Sequence, residues 1–167
     1  TGGAPALRHY TGAQITVHAS DVKIANMGPS VAYGPFGTLR FKIPFFRKVA
    51  ADVVLNDGDE LPIMGGVRAH HTPGHTPGSV CYELKELGVL LSGDMLVVDG
   101  NSVAKNHAFP GSQKAEYQAS LEKIASMDFR WLCPGHGKPI QTSEVHNMQS
   151  LSIPTDGYDW TWRLFGG

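Results

Sequence analysis

The stretch His71-Thr72-Pro73-Gly74-His75-Thr76-Pro77-Gly78-Ser79 has the same Thr-Pro-Gly triplet on both sides of one histidine, His75. Proline fixes φ and glycine permits a tight turn, so the pattern predicts a rigid turn that aims the His75 side chain in one direction. A lone histidine in such a turn is usually an ordinary loop residue. The segments that follow along the chain favour a different interpretation.

Two more residues of metal-ligand type come after this turn. Asp94 follows His75 by 19 residues in Leu91-Ser92-Gly93-Asp94, and His136 follows Asp94 by 42 residues in Cys133-Pro134-Gly135-His136-Gly137. We expect Asp94 at the end of an apolar strand and His136 on a second glycine turn, although aspartate also serves as a cap and histidine as a turn residue. Zn²⁺ accepts imidazole and carboxylate ligands, and a carboxylate can bridge two ions. The pattern therefore predicts that the three side chains converge at a hydrolytic metal centre.

Together these segments resemble the metallo-β-lactamase superfamily, from Thr1 to about Ile140. The resemblance implies an α/β fold, a four-layer αββα sandwich with metals at one edge of its two sheets. It also implies that Asp94 bridges two ions and that His136 is the terminal ligand of the second ion. Several true β-lactamase groups have a thiolate or hydroxyl where this chain has Asp94, whereas thioesterases and lactonases have aspartate. Asp94 therefore favours a glyoxalase-II-like or lactonase-like hydrolase of a small ester, thioester or lactone.

The family also has a His-x-His-x-Asp-His segment, which this sequence lacks. Thr1-Gly2-Gly3 resembles the residues directly after that segment, so we expect residues 1–167 to be one domain, an N-terminally truncated portion of the full fold. The resemblance implies two zinc ions in the complete enzyme, with iron or manganese as alternatives, and weak or no metal binding by this chain alone. It puts the general-base aspartate upstream, which leaves the catalytic residues of this chain unknown.

Two segments are expected to contact the substrate. His107 and Lys105 lie in the loop after Asp94, which often lines the substrate pocket in the family that the chain resembles. In residues 27–46, glycines and prolines interrupt eight large apolar residues. Such long loops are usually functional or disordered, and the many aromatic residues argue against disorder. Because these side chains need burial, we expect the loop to cover the mouth of the site.

The local patterns predict an alternation of short strands and helices. We expect Ser20 to cap the second helix, and we expect a hairpin-type turn at residues 56–59. The sequence predicts helices at residues 2–10, 19–25, 112–127 and 142–151, and strands at residues 15–18, 51–55, 67–71, 79–84, 89–91 and 129–133.

The composition limits the partners and the compartment. A net charge of −1 gives no electrostatic reason to bind nucleic acid or an anionic membrane, and no apolar run reaches the ~18 residues that cross a bilayer. Cys81 and Cys133 lie in apolar segments, which favours free thiols in a reducing compartment, so we expect a cytoplasmic protein. Exposed strand edges near residues 15–18 or 51–55 predict self-association through the N-terminal region.

Three functions therefore stay open at this level. The leading one is a metal-dependent hydrolase of a small molecule. An iron-dependent oxygenase on the same fold would use a compatible ligand set, since the sequence does not separate zinc from iron. A non-catalytic fragment or scaffold is favoured by the absence of the upstream ligand segment.

Overall fold

The structure is a computed structural model, and it describes residues 3–27, 32–34, 37–39, 49–106 and 114–145. Within these ranges the α-helices are α1 (Ala4–Thr11), α2 (Val22–Met27) and α3 (Lys114–Ala125). The strands are β1 (Thr16–His18), β2 (Ala32–Gly34), β3 (Gly37–Leu39), β4 (Val53–Leu55), β5 (Glu60–Leu61), β6 (Val67–His71), β7 (Val80–Leu84), β8 (Val89–Asp99), β9 (Ser102–Lys105), β10 (Trp131–His136) and β11 (Ile140–Gln141). This mixed arrangement confirms the predicted α/β class.

The large sheet contains seven strands in the order β11-β10-β8-β7-β6-β5, with β9 paired to the second half of β8. β8 and β10 are parallel, and the other neighbours are antiparallel. Along the parallel pair, Pro134 lies opposite Gly93 and His136 opposite Val97, with register shifts on both sides of Pro134. This pairing brings the end of β10 beside the middle of β8, where Asp94 lies.

Helix α3 packs on one face of the large sheet. The sequence predicts that Tyr117, Leu121, Ile124 and Ala125 share one helical face; Ala125 is exposed, whereas the first three are buried. Together with buried strand residues they form the main core of the described part of the chain: Cys81, Leu90, Met95, Leu96, Val98, Val103, Tyr117, Leu121, Ile124, Phe129, Leu132 and Ile140. No helix in the described ranges is both long and apolar enough to cross a membrane.

A parallel pair of short strands, β1 and β4, lies against the other face of the sheet. Successive strand residues point to opposite faces, so Tyr82 points away from Cys81 and from α3. Thr16 Oγ1 lies 3.3 Å from Tyr82 Oη, and both Ala69 of β6 and Leu55 of β4 are almost fully buried. The sheet is therefore covered by a helix on one side and by a second, smaller sheet on the other.

Two predictions for the first half of the chain are wrong. Residues 19–25 do not form one helix, because a 3-10 turn (Ala19–Asp21) precedes α2, and the cap is His18, whose Nδ1 accepts a hydrogen bond from the Ser20 N–H at 3.2 Å. The turn at residues 56–59 does not close a hairpin, because β4 pairs with β1 whereas β5 pairs with β6. The turn instead leads the chain from the small sheet to the large one.

Two further predictions need correction. Residues 27–46 are not one continuous loop, since β2 and β3 form an antiparallel pair within them. The proposed packing of this segment over the site lies outside the described residues. The helix predicted at residues 142–151 is replaced at its start by a 3-10 turn (Thr142–Glu144) followed by extended backbone at Val145, and residues 146–151 are likewise outside the described ranges.

Candidate metal centre

The structure brings His75, Asp94 and His136 together. His75 Nε2 lies 3.7 Å from Asp94 Oδ2, and His136 Nε2 lies 3.5 Å from Asp94 Oδ1, so each carboxylate oxygen faces a different imidazole. The exposed fraction of the side chain rises from 15% at His75 through 45% at Asp94 to 67% at His136. The group therefore begins inside the protein at His75 and opens to solvent at His136.

The position of Asp94 in its strand differs from the prediction. The sequence predicts Asp94 at the end of an apolar strand, but β8 continues through this residue to Asp99. Gly93 has a φ of 51° in the middle of the strand, a conformation that favours glycine. This local irregularity coincides with the register shift against Pro134, and it turns the backbone directly before the carboxylate.

Gly135 sets the distance between β10 and Asp94. A Cβ atom added at Gly135 would overlap Asp94 Oδ1 and would lie 3.1 Å from the carbonyl carbon and oxygen of Gly93. The next glycine, Gly137, has a φ of 100° and leaves no room for a Cβ beside the Val98 carbonyl oxygen. Only glycine therefore fits at both neighbours of His136, and this lets the His136 ring approach the carboxylate.

The turn that carries His75 is closed by its own hydrogen bonds. The Thr72 N–H donates to the Ser79 carbonyl at 2.9 Å, and the Thr76 N–H donates to Ser79 Oγ at 2.9 Å. Helix α3 is also bonded to the turn, because Ser120 Oγ donates to the Pro73 carbonyl at 2.7 Å. These contacts agree with the rigid turn that the repeated Thr-Pro-Gly triplet predicts.

Two imidazoles and a carboxylate suit a transition-metal ion, but the three side chains are arranged as two separate imidazole–carboxylate pairs. Two ligands of one zinc ion lie about 3.4 Å apart when both are at tetrahedral positions, and the two nitrogen-to-oxygen distances of 3.5 and 3.7 Å are close to that value. Within the described residues, no group of three or more His, Cys, Asp or Glu side chains is arranged to hold an ion. The donors thus form two imidazole–carboxylate pairs that share Asp94.

Of the two residues expected to contact the substrate, the structure describes Lys105 but not His107. Lys105 is half-buried at the end of β9, where it pairs with Leu96, two residues after Asp94. The following residue, Asn106, is tied to the site strand, because its N–H donates to the Met95 carbonyl at 3.3 Å. His107 lies outside the described residues. A role for either residue in substrate binding stays a prediction.

Two histidines near the His75 turn form a contact that the sequence did not predict. The rings of His18 and His71 are stacked, with centroids 3.7 Å apart and planes 9° from parallel. His71 Nε2 donates to the Pro77 carbonyl in the His75 turn at 2.8 Å. Burial, and next the neighbouring His71, lower the pKa of His18 below its usual value. No local pattern indicates this pair, because the stack joins two different sheets.

The thiols are both free, as the sequence predicts. Cys81 is fully buried, and Thr72 Oγ1 donates to its sulfur at 3.3 Å. Burial raises the pKa of this thiol to about 11. Burial also raises the pKa of Cys133, which lies three residues before His136 and is half-buried. Neither thiol is therefore activated as a nucleophile or as a thiolate ligand.

Comparison with known proteins identifies the family. The sequence profile of the metallo-beta-lactamase superfamily matches residues 1–136, and the chain belongs to this superfamily. The fold agrees: a structure titled BLEG-1 B3 metallo-beta-lactamase has a TM-score of 0.65 at 23% identity, over 89% of this chain and 68% of that chain. A structure titled TTHA1623 in a di-iron-bound form has a TM-score of 0.63 at 24% identity, over 86% of this chain and 67% of that chain.

Several curated relatives are similar in sequence. The uncharacterized protein ML0493 of Mycobacterium leprae is 34% identical over 65% of this chain and 51% of its own length. The atrochrysone carboxyl ACP thioesterase of Aspergillus fumigatus is 31% identical over 57% of this chain and 28% of its own length. The human acyl-coenzyme A thioesterase MBLAC2 is 28% identical over 66% of this chain and 40% of its own length. The chain thus spans about half or less of the length of these relatives.

Proposed function

We propose that His75, Asp94 and His136 form part of the metal centre of a hydrolase that acts on a small ester, thioester or lactone. The observation that supports this most is the orientation of Asp94, whose two oxygens face two different imidazole nitrogens at 3.7 and 3.5 Å. A carboxylate in that position suits a bridge between two ions. A bound ion would lower the pKa of a coordinated water and polarise the scissile carbonyl oxygen.

Each of the three residues has a defined part in this proposal. His75 and His136 present Nε2 to the carboxylate, so in the metal-binding form of each neutral ring the proton is on Nδ1. His75, the least exposed of the three, defines the inner side of the centre, and His136 the side from which solvent and substrate enter. Three donors are too few for two ions, because a catalytic zinc ordinarily has three protein ligands of its own. By themselves they should hold metal weakly.

The substrate class rests on the identity of the shared ligand and on the relatives. Asp94 supplies a carboxylate where several true β-lactamase groups have a thiolate or hydroxyl, and two of the similar proteins are named as thioesterases. Both names describe an acyl group on a carrier, so the group that those relatives hydrolyse is a thioester, and this supports a thioester as the substrate of the present chain. We propose that Lys105 and His107, which follow the site strand, contact the acyl or carrier part of the substrate.

The test is a hydrolysis assay of the protein at its full native length, loaded with zinc and offered an acyl-coenzyme A, an aryl ester, a lactone and a phosphodiester. Loss of even an outer partner of a metal ligand typically lowers activity about 10- to 100-fold, so Asp94→Asn should lower it by at least about 100-fold. Asp99→Asn is the matched control, because Asp99 is an exposed aspartate at the far end of the same strand. Activity confined to the phosphodiester would contradict the proposal.

A non-catalytic scaffold is a second candidate, and one observation favours it. The described residues contain no group of three or more donors arranged around an ion. A scaffold predicts that the folded, zinc-loaded protein hydrolyses none of the four substrates. It also predicts that Asp94→Asn changes neither activity nor metal binding, which separates this candidate from the hydrolase.

A further inference from the structure

Asp21 contacts the His75 turn from a distant part of the sequence. It lies in the 3-10 turn between β1 and α2, and its carboxylate reaches the residues on the C-terminal side of His75. Asp21 Oδ2 accepts a hydrogen bond from Thr76 Oγ1 at 2.6 Å, and Oδ1 accepts one from the Gly78 N–H at 2.7 Å. One side chain thus holds the turn at two points, one of them directly beside His75.

The contact is close because residue 78 has no side chain. A Cβ atom at Gly78 would overlap the Asp21 carboxylate, so any other residue there would push the two segments apart. Thr76 Oγ1 also lies 3.0 Å from Ser79 Oγ, which accepts the Thr76 N–H. Asp21 therefore adds two hydrogen bonds to those that the turn makes within itself. Its carboxylate is the acceptor of both, and hydrogen bonds to a carboxylate are stronger than those between neutral groups.

Asp21 also connects the turn to a second piece of the molecule. The short helical turn of Asp21 follows β1, and the cap of this turn is His18, which stacks on His71 at the entrance to the His75 turn. The small sheet and the His75 turn are thereby joined on both sides of the turn: through the His18–His71 stack before His75 and through Asp21 after it. Loss of Asp21 would remove its two bonds on the C-terminal side of the turn and leave the His18–His71 stack in place.

We propose that Asp21 is a positioning residue that fixes the direction of the His75 ring toward Asp94 and thereby sets the metal affinity of the candidate centre. This inference rests on the proposed function. In this role Asp21 acts through the Thr76 side chain and through the Gly78 amide.

The test uses NMR spectroscopy of the histidine ring signals with Mn²⁺ as the probe, because paramagnetic broadening reports weak, rapidly exchanging binding. Amide hydrogen exchange of Gly78 is measured in parallel. Asp21→Ala should weaken apparent Mn²⁺ binding at the His75 ring about tenfold, the lower limit for loss of an outer partner of a ligand. Exchange of the Gly78 amide should become faster by about tenfold or more, as expected for loss of a hydrogen bond to a charged group.

Two further variants distinguish positioning from general stabilisation. Asp21→Asn keeps an oxygen that accepts the Gly78 N–H, so we expect slow Gly78 exchange and an intermediate affinity. Asp52→Ala is the matched control, because Asp52 also accepts from a distant backbone N–H, that of Ile15 at 2.9 Å, and pairs with Arg8 at 2.8 Å. It should lower global stability but leave Mn²⁺ broadening at His75 and Gly78 exchange unchanged.

The outcomes separate this inference from the proposed function. If Mn²⁺ broadens the His75 signal of the unmodified protein and Asp21→Ala and Asp21→Asn bind as well as it does, the positioning role is refuted. Equal weakening by Asp21→Ala and Asp52→Ala would also refute it, since the effect would then be one of stability. If the unmodified protein shows no broadening at His75, the proposed metal centre itself fails, whatever the exchange of Gly78.

Discussion

Replacement of Gly135 by alanine should destabilise the protein and displace Asp94 from its place between the two imidazoles. Gly135 has no positive φ, so alanine can adopt its backbone conformation without strain, and the effect is purely one of space. The new Cβ would overlap Asp94 Oδ1 and would lie 3.1 Å from two backbone atoms of Gly93. The Asp94 side chain can rotate away toward solvent, but the Gly93 backbone is held within β8.

The magnitude follows from this contact geometry. Overpacking of a tight contact typically costs about 1–3 kcal/mol, which for a domain of this size lowers the melting temperature by about 2–4 °C per kcal/mol. Rotation of Asp94 would relieve the worst overlap, so we expect a destabilisation near the lower end of this range. The same rotation would take the carboxylate away from the two imidazoles, so we expect metal binding to be weakened more strongly than stability.

Urea unfolding and Mn²⁺ titration of the same samples would check both parts. Gly3→Ala is the control, because a Cβ at Gly3 meets nothing within 4 Å and its φ is −84°. Surface substitutions of this kind usually stay within about 0.5 kcal/mol of the parent. If Gly135→Ala matches Gly3→Ala in both stability and metal binding, the close approach of β10 to Asp94 is not present in solution.

Three other expectations follow from the same contacts. The lowered pKa of His18, caused by burial and then by His71, means that the folded protein binds a proton there less readily than the unfolded chain. The free energy of unfolding should therefore decline as the pH falls below 6.5. His18→Asn should reduce this dependence on pH in urea unfolding, and an unchanged dependence would contradict the role of His18. Because Cys81 is fully buried and burial raises its pKa to about 11, this thiol should be alkylated more slowly at about pH 8 than the half-buried Cys133, and equal labelling by mass spectrometry would be the contrary result. In the described part of the chain β1 and β4 pair only with each other, and Val54 of β4 is 48% exposed. We therefore propose that the protein self-associates through this two-stranded sheet and that Val54→Lys weakens the association. Light scattering that detects a monomer at all concentrations would exclude it.

The sequence predicts those parts of the fold that depend on local patterns. The triplets on both sides of His75 predict its rigid turn, and the spacing of Tyr117, Leu121 and Ile124 predicts the buried face of α3. The three candidate ligands could be selected because each has a ligand-type side chain beside a glycine, and because their segments together resemble those of the metallo-β-lactamase superfamily. The proximity of Asp94 and His136 follows from the parallel pairing of β8 with β10, and His75 comes near them because β7, which directly follows its turn, pairs with β8.

Other features depend on contacts between distant segments, which local patterns do not contain. The sequence analysis places Asp94 at the end of its strand, although the apolar run from Met95 to Val98 is a signal that β8 continues. Asp21 has no local feature that relates it to His75, since its bonds to the turn cross 55 and 57 residues. The pairing of β4 with β1 was missed for the same reason, because a turn-rich segment after β4 is compatible with a hairpin.

The central claim is that His75, Asp94 and His136 act together as metal ligands. Titration of the protein with Mn²⁺, monitored by the NMR signals of its eight histidine rings, tests this directly. We expect the His75 and His136 signals to broaden first and in parallel, and we expect Asp94→Asn to abolish that selective broadening, because the shared carboxylate joins the two pairs. Broadening that is centred on other histidines, or that is the same in Asp94→Asn, would contradict the account.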